Sequence, residues 1–185
     1  MQVVPLYSAE EIEARIAELA AQLYRDYADA PLTVLRVGDG ATRFVDELAV
    51  ELARHGVRAE VHDVRARRSH SSEPSEASRG PAQRDREGAV QVDAFDPSLL
   101  DARDVLVVDD VVDEGATLEG VLDIVGLAEA RSVRTAVLVG KRTAGRARVA
   151  PDYVGFEVDA GWVVGFGMAI DGELADLDEI GVVID

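Results

Sequence analysis

The chain has 185 residues, is 48% hydrophobic and contains no cysteine; that is enough for one domain with a real core, and it excludes disulfides, thiolate metal sites and cysteine nucleophiles together. With 36 Asp and Glu against 19 Lys and Arg the net charge is −17, so nucleic acid and anionic membranes, which need a positive footprint, are not expected as partners. No apolar run is long enough to span a bilayer and the amino terminus lacks a basic-then-apolar leader, so a soluble, cytoplasmic protein is expected.

Ser8-Ala9-Glu10-Glu11 is a capping box, and Ile12, Ile16, Leu19, Ala20 and Leu23 behind it share one helical face, which predicts a helix over about 9–27. LTVLRV (32–37) reads as a strand and GDGA as a turn. Phe44, Val45, Leu48, Leu52 and Ala53 mark a second amphipathic helix ending near Gly56, and the alternation in VRAEVHDV (57–64) suits another strand. Residues 65–89 break this rhythm: they are polar, rich in serine and arginine, and show no periodic apolar face. A structureless stretch of that length is either functional or a floppy insertion.

A strand is expected near 89–94. DVLVVD (104–109) is the most strand-like run, and ATLEGVLDIVGLAE (116–129) is the helix after it. VRTAVLVG (133–140), DYVGFEV (152–158), WVVGFG (162–167) and a short run near 181–184 complete the strands. Strand and helix alternate through the middle of the chain, which predicts an α/β fold with a mostly parallel sheet.

Ligands of open α/β sheets sit outside the carboxyl ends of the strands, and residues 109–117 (DDVVDEGAT) are expected to form such a turn. Gly115 permits a tight bend, and the free amides of residues 114 to 117 can cradle a phosphate, with Thr117 adding a hydroxyl. Asp109 and Asp110 can accept two vicinal hydroxyls or hold the hydration shell of Mg²⁺, and Asp113 can accept a proton from a ring nitrogen. Acids of a general surface coat are the bland alternative, but adjacent carboxylates directly after VLVV repel each other at a sheet edge. Lys141, the only lysine, stands at a strand end beside Arg142. Near-absence of lysine under an acidic coat fits a protein solvated in concentrated salt, or equally the arginine bias of a GC-rich genome.

VLVVDDVVDEGAT closely resembles the ribose-phosphate signature of type I phosphoribosyltransferases: an apolar strand, two acids, two apolar residues, then D-x-G-x-T. VLVGKRT (137–143) and PDYVGFEVDAGWVVGFGM (151–168) are similar to the purine-binding half of the hypoxanthine-guanine branch, and AEEIEARIAELAAQLYRDY and VGDGATRFVDEL match that branch in position. The resemblance covers nearly the whole chain except residues 65–89. It implies a single phosphoribosyltransferase-like domain over 1–185, with a mostly parallel twisted sheet flanked by helices, a small hood or C-terminal subdomain, and residues 65–89 as a flexible lid. It implies transfer of 5-phosphoribose from phosphoribosyl pyrophosphate (PRPP) to hypoxanthine or guanine with Mg²⁺, in purine salvage, by a homodimer or homotetramer. Asp109 and Asp110 would bind the ribose hydroxyls, directly or through Mg²⁺, while Asp113, Glu114, Gly115, Ala116 and Thr117 would hold the 5′-phosphate. Asp113 would stand beside purine N7, and Lys141 would donate to O6. Trp162 would stack on the base, Val163 would read its edge through the backbone, and Gly38, Asp39 and Gly40 would form the pyrophosphate loop.

The pattern departs from the family in four places. Asp39 stands where a lysine is often found, and Glu114 where threonine is usual. Ala169 replaces an aspartate associated with a second Mg²⁺, and Ala175 an arginine that grips pyrophosphate. Removing a metal carboxylate and a guanidinium strips charge-assisted contacts from a leaving group. Arg65, Arg67, Arg68, Arg79, Arg84 and Arg86 of the lid could fold over the pyrophosphate, with Ser69-His70 standing in for a Ser-Tyr pair, or Asp171 or Asp176 could supply the missing metal ligand. Two other readings stay open from sequence: a relative with another acceptor base, and a non-catalytic protein that binds a purine nucleotide.

Overall fold

The computed structural model describes residues 2–27, 30–68, 90–92, 95–142, 148–159 and 161–184. Among these residues three helices and ten strands are formed in the order β1 (Gln2–Tyr7), α1 (Ala9–Tyr27), β2 (Leu32–Val37), α2 (Thr42–Arg54), β3 (Ala59–Val64), β4 (Ala66–Arg68), β5 (Val90–Val92), β6 (Asp104–Val112), α3 (Ala116–Val125), β7 (Ser132–Lys141), β8 (Tyr153–Val158), β9 (Trp162–Val164) and β10 (Ile180–Ile184), with a 3-10 turn at Pro97–Leu100 between β5 and β6.

The main sheet has five parallel strands in the order β3-β2-β6-β7-β8. β2 and β6, at its centre, are buried almost throughout because both of their faces are covered. Leu106, Val108 and Leu138 pack with the inner faces of α1 and α2. Val105, Val107 and Val137 pack on the other side with Leu118, Val121 and Val125 of α3. A second sheet, β1-β10-β9, is antiparallel and brings the two ends of the chain together over the main sheet. Tyr7 stacks on Phe156 with ring centroids 4.0 Å apart and so ties this hood to β8.

From β2 the chain moves outward to β3, then returns past β2 and proceeds through β6, β7 and β8 in the opposite direction. The point of reversal, between β2 and β6, opens a crevice at the carboxyl ends of these strands. The loops after β2, β6 and β7 converge there.

The capping box forms as expected: the Ser8 amide donates to Glu11 at 2.8 Å and the Glu11 amide to Ser8 Oγ at 3.3 Å. Other expectations are corrected. β6 does not stop at Asp109 but runs on to Val112, so both acids lie inside the strand. The helix expected to reach residue 129 ends at Val125, where Gly126 serves as C-cap and Leu127 is 76% exposed. Ala66–Arg68 pairs antiparallel with β5 inside the stretch read as aperiodic; three residues are too few to show a period. β1 precedes the first element read from the sequence, its side chains mostly exposed and its pairing supplied by β10. Residues 69–89 of the expected lid, with Ser69, His70, Arg79, Arg84 and Arg86, lie outside the described residues.

Candidate functional site

The last third of β6 carries the acids. Asp109 continues to pair with Val137, then Asp110 drops out of the ladder before Val111 pairs with Val139. The two carboxylates take up the backbone donors at this irregularity: the Asp110 amide donates to Asp109 Oδ1 at 3.0 Å, and the Val111 amide to Asp110 Oδ1 at 2.8 Å. Asp109 is buried, only 7% exposed. Burial, reinforced by the neighbouring charge of Asp110, pushes its carboxyl well above the usual carboxylate range.

Beyond Val112 the chain turns through Asp113 and Glu114 to Gly115, whose φ of 77° lies in the left-handed region and which caps the start of α3. Ala116 and Thr117 form the first turn of that helix, so the unsatisfied amides at its start face the crevice end of β6. The segment after residue 147 closes on this turn. The Arg148 amide donates to the Glu114 carbonyl at 2.9 Å, and a Cβ on Gly115 would stand 3.1 Å from the Val149 nitrogen.

Lys141, at the end of β7, crosses to this loop and holds Asp113 with Nζ 3.0 Å from Oδ2. The same ammonium lies 5.9 Å from the centroid of the Trp162 ring, within cation–π range. Trp162 is 67% exposed and offers a broad ring face, while Val163 beside it is buried. β9 is an edge strand of its sheet, so one row of its backbone amides and carbonyls is not committed to a strand of that sheet.

The third wall is the loop after β2. Gly38 has a φ of 69° and Asp39 is exposed. Gly40 is wedged in place: a methyl group there would run into the Asp110 carboxylate, and a Cβ on Gly167 would stand 2.6 Å from the Gly40 carbonyl oxygen. The cation nearest in sequence to Asp39, Arg36, is already held by Asp63 at 2.7 Å and Asp46 at 3.5 Å. Gly167 belongs to a tight reversal in which Gly165 and Met168 exchange backbone hydrogen bonds, each at 2.9 Å, and its amide donates to the Ala175 carbonyl at 2.9 Å. Ala175 therefore lies beside the Gly38–Gly40 loop, whereas Ala169 is exposed on the following stretch. Asp171 and Asp176 are both exposed, Asp171 in a second reversal closed by Ile170 and Glu173.

The structure thus gathers Gly40, Asp110, Asp113, Gly115, Lys141 and Trp162 about one crevice from four separate parts of the chain. Sequence reasoning missed Gly167, whose place in a glycine-bracketed GFG was the available signal, and Arg148, for which no signal existed. No group of three or more acids or histidines poised for a metal occurs among the described residues. Asp109 and Asp110 provide adjacent carboxylates of the kind that could hold Mg²⁺, which is commonly bound by one or two carboxylates and completed by water and substrate oxygens.

The chain matches the phosphoribosyl transferase domain family over residues 5–171. It is 34% identical over 182 residues to the hypoxanthine-guanine phosphoribosyltransferase of Mycobacterium avium, covering 95% of this chain and 83% of that one. The corresponding Bacillus subtilis protein is 28% identical over 177 residues, covering 96% and 91% of the two chains. Among solved structures, the hypoxanthine phosphoribosyltransferase of Trypanosoma cruzi in complex with the product IMP superposes with a TM-score of 0.82 at 24% identity, covering 97% and 93%. A hypoxanthine phosphoribosyltransferase from Staphylococcus aureus gives 0.81 at 23% identity, covering 98% and 91%. These structural likenesses establish the fold.

Proposed function

On the premise that this chain belongs to the phosphoribosyltransferase family, in its hypoxanthine-guanine branch, we propose that it transfers 5-phosphoribose from PRPP to N9 of a 6-oxopurine in purine salvage. Hypoxanthine gives IMP, guanine gives GMP, and pyrophosphate leaves. The observation that carries this reading is the Lys141–Asp113 pair, 3.0 Å apart and next to the Trp162 ring at the mouth of the Gly115 turn. A donor for O6, an acceptor for a purine N–H and a stacking surface stand at one side of a phosphate-sized nest.

In this reading the amides of Glu114, Gly115, Ala116 and Thr117, with the Thr117 hydroxyl, hold the 5′-phosphate. Asp109 and Asp110 take the ribose hydroxyls and hold Mg²⁺, which when bound neutralises charge on the pyrophosphate. Trp162 stacks on the purine and the Val163 backbone reads its edge. As the bond from C1′ to pyrophosphate breaks and the bond to N9 forms, Asp113 holds the purine proton at N7 and Lys141 donates to O6. Gly38, Asp39 and Gly40 line the path of the pyrophosphate.

The test follows pyrophosphate release from PRPP and Mg²⁺ with hypoxanthine, guanine, xanthine and adenine. Turnover with the oxopurines and not adenine is expected. Binding of GMP without turnover would replace this reading with a non-catalytic nucleotide-binding one; turnover with none of these bases and no GMP binding would point to another acceptor.

A cytoplasmic location and assembly as a homodimer or homotetramer belong to the same reading; sedimentation of the purified protein tests the assembly. No helix among the described residues is long and apolar enough to cross a membrane. The charge of −17 further supports a protein adapted to concentrated salt, because salt screens repulsion between exposed carboxylates. Its melting temperature should rise steeply from low to molar KCl, and a flat profile would remove that adaptation.

A further inference from the structure

The amide nest at the start of α3 is ringed by acids: Asp113 and Glu114 precede it and Glu119 follows on the first turn and a half. A phosphate dianion arriving there meets repulsion that the backbone amides alone must overcome. Lys141 is engaged by Asp113 on the base side. On the other side stands Arg148, whose guanidinium is 3.0 Å from Glu119 Oε2.

A helical side chain leans toward the helix N-terminus and covers the turn before its own Cα. The Glu119 carboxylate, and the Arg148 guanidinium it holds, therefore lie over the first turn of α3, where the free amides are. The backbone of Arg148 is fixed at this lip by its hydrogen bond to the Glu114 carbonyl and by the close packing of Val149 on Gly115. Its side chain is 54% exposed, so the guanidinium can turn while its anchor stays.

We infer that Arg148 is a phosphate-binding residue that exchanges its Glu119 partner for the 5′-phosphate of PRPP or of the product nucleotide when the ligand binds. This rests on the reading of the Gly115 turn as a 5′-phosphate site. A planar guanidinium pairs in bidentate fashion with phosphate oxygens, and a dianion is a stronger partner than a single carboxylate. Glu119 then acts as a placeholder that keeps the cation at the lip and competes with the ligand for it.

The placeholder role separates this from a plain surface ion pair. GMP binding by calorimetry, and KM for PRPP and for hypoxanthine, should be measured on the wild-type chain and on Arg148→Ala, Arg148→Lys and Glu119→Gln. Arg148→Ala should weaken GMP and raise KM for PRPP about tenfold or more, with KM for hypoxanthine unchanged. Arg148→Lys should recover part of the loss, and Glu119→Gln should bind GMP as tightly as wild type or more tightly. Unchanged GMP affinity in Arg148→Ala would overturn the inference. So would a Glu119→Gln loss equal to that of Arg148→Ala, which would make the pair a structural staple. Failure of the wild-type chain to bind GMP at all would instead overturn the phosphate-site reading, and this inference with it.

Discussion

The two ends of the crevice are built from different materials. The β6–α3 end carries charged side chains held in defined places: Asp109, Asp110 and Asp113 from the strand and its turn, Lys141 and Arg148 from neighbouring segments. At the other end, where the loop after β2 meets the Gly165–Met168 reversal, the contact is backbone on backbone, with Gly167 against the Gly40 carbonyl. Of the nearby side chains Asp39 and Ala175 carry no positive charge, and the cation there, Arg43, lies 4.3 Å over the Phe166 ring and is held by Glu47 at 3.2 Å and Asp178 at 2.9 Å. The difference teaches that, on the proposed reading, recognition of base and sugar phosphate is separable from handling of the leaving group. One end offers fixed charged side chains and the other mainly backbone groups.

The largest expected effect breaks the well-equipped end. Asp113→Asn keeps the shape of the turn but removes the proton acceptor, and kcat should fall about 10²–10⁴-fold with melting temperature nearly unchanged; a kcat within a few-fold of wild type would take Asp113 out of the chemistry. Next, Lys141→Ala removes the proposed donor to O6. The preference for hypoxanthine over adenine should shrink by about 10–100-fold, as for one lost charged hydrogen bond, and unchanged competition between the two bases would remove Lys141 from the pocket.

A smaller effect probes the sparse end. Ala175→Arg restores a guanidinium beside the Gly38–Gly40 loop and should raise kcat/KM for PRPP by about tenfold. If it leaves the rate alone, pyrophosphate departure is not what limits turnover. The mildest effect is on stability. The Asp109 carboxyl is pushed up by burial and by Asp110, so the folded state holds a proton that the unfolded chain releases at lower pH. The stability tied to that proton is present below the unfolded value, near 3.9, and declines as pH rises through the higher folded value. Asp109→Asn, which keeps an oxygen for the Asp110 amide, should therefore stabilise the ligand-free protein at neutral pH by about 0.5–2 kcal/mol, or about 2–4 °C per kcal/mol. It should also weaken PRPP. A melting temperature that falls instead would show Asp109 to be ionised and satisfied in the folded state.

Much of this end was legible because its determinants are local. The capping box of α1, the apolar run of β6 and the D-x-G-x-T turn each depend on residues within one or two turns of each other, and they form where the spacing puts them. The misreadings have equally local causes. Asp109 and Asp110 look like strand breakers, yet each accepts from the next amide and lets β6 continue to Val112. ATLEGVLDIVGLAE keeps an apolar pattern past Gly126, but Leu127 has no core to enter and is exposed, so the helix ends early.

The sequence by itself determined the shape of the Gly115 turn, since a left-handed glycine, a helix start and the acids before it follow from neighbouring residues. Tertiary structure alone decided which groups face that turn. Lys141 reaches Asp113 across 28 residues because β7 lies beside β6. Gly40 meets Asp110 because β2 lies on the other side of β6, and Gly167 meets Gly40 because the hood folds back over that edge. Strand order is fixed by the packing of whole faces of α1, α2 and α3 against the sheet. A periodicity of two or 3.6 residues says which face is buried and never which strand will be its neighbour.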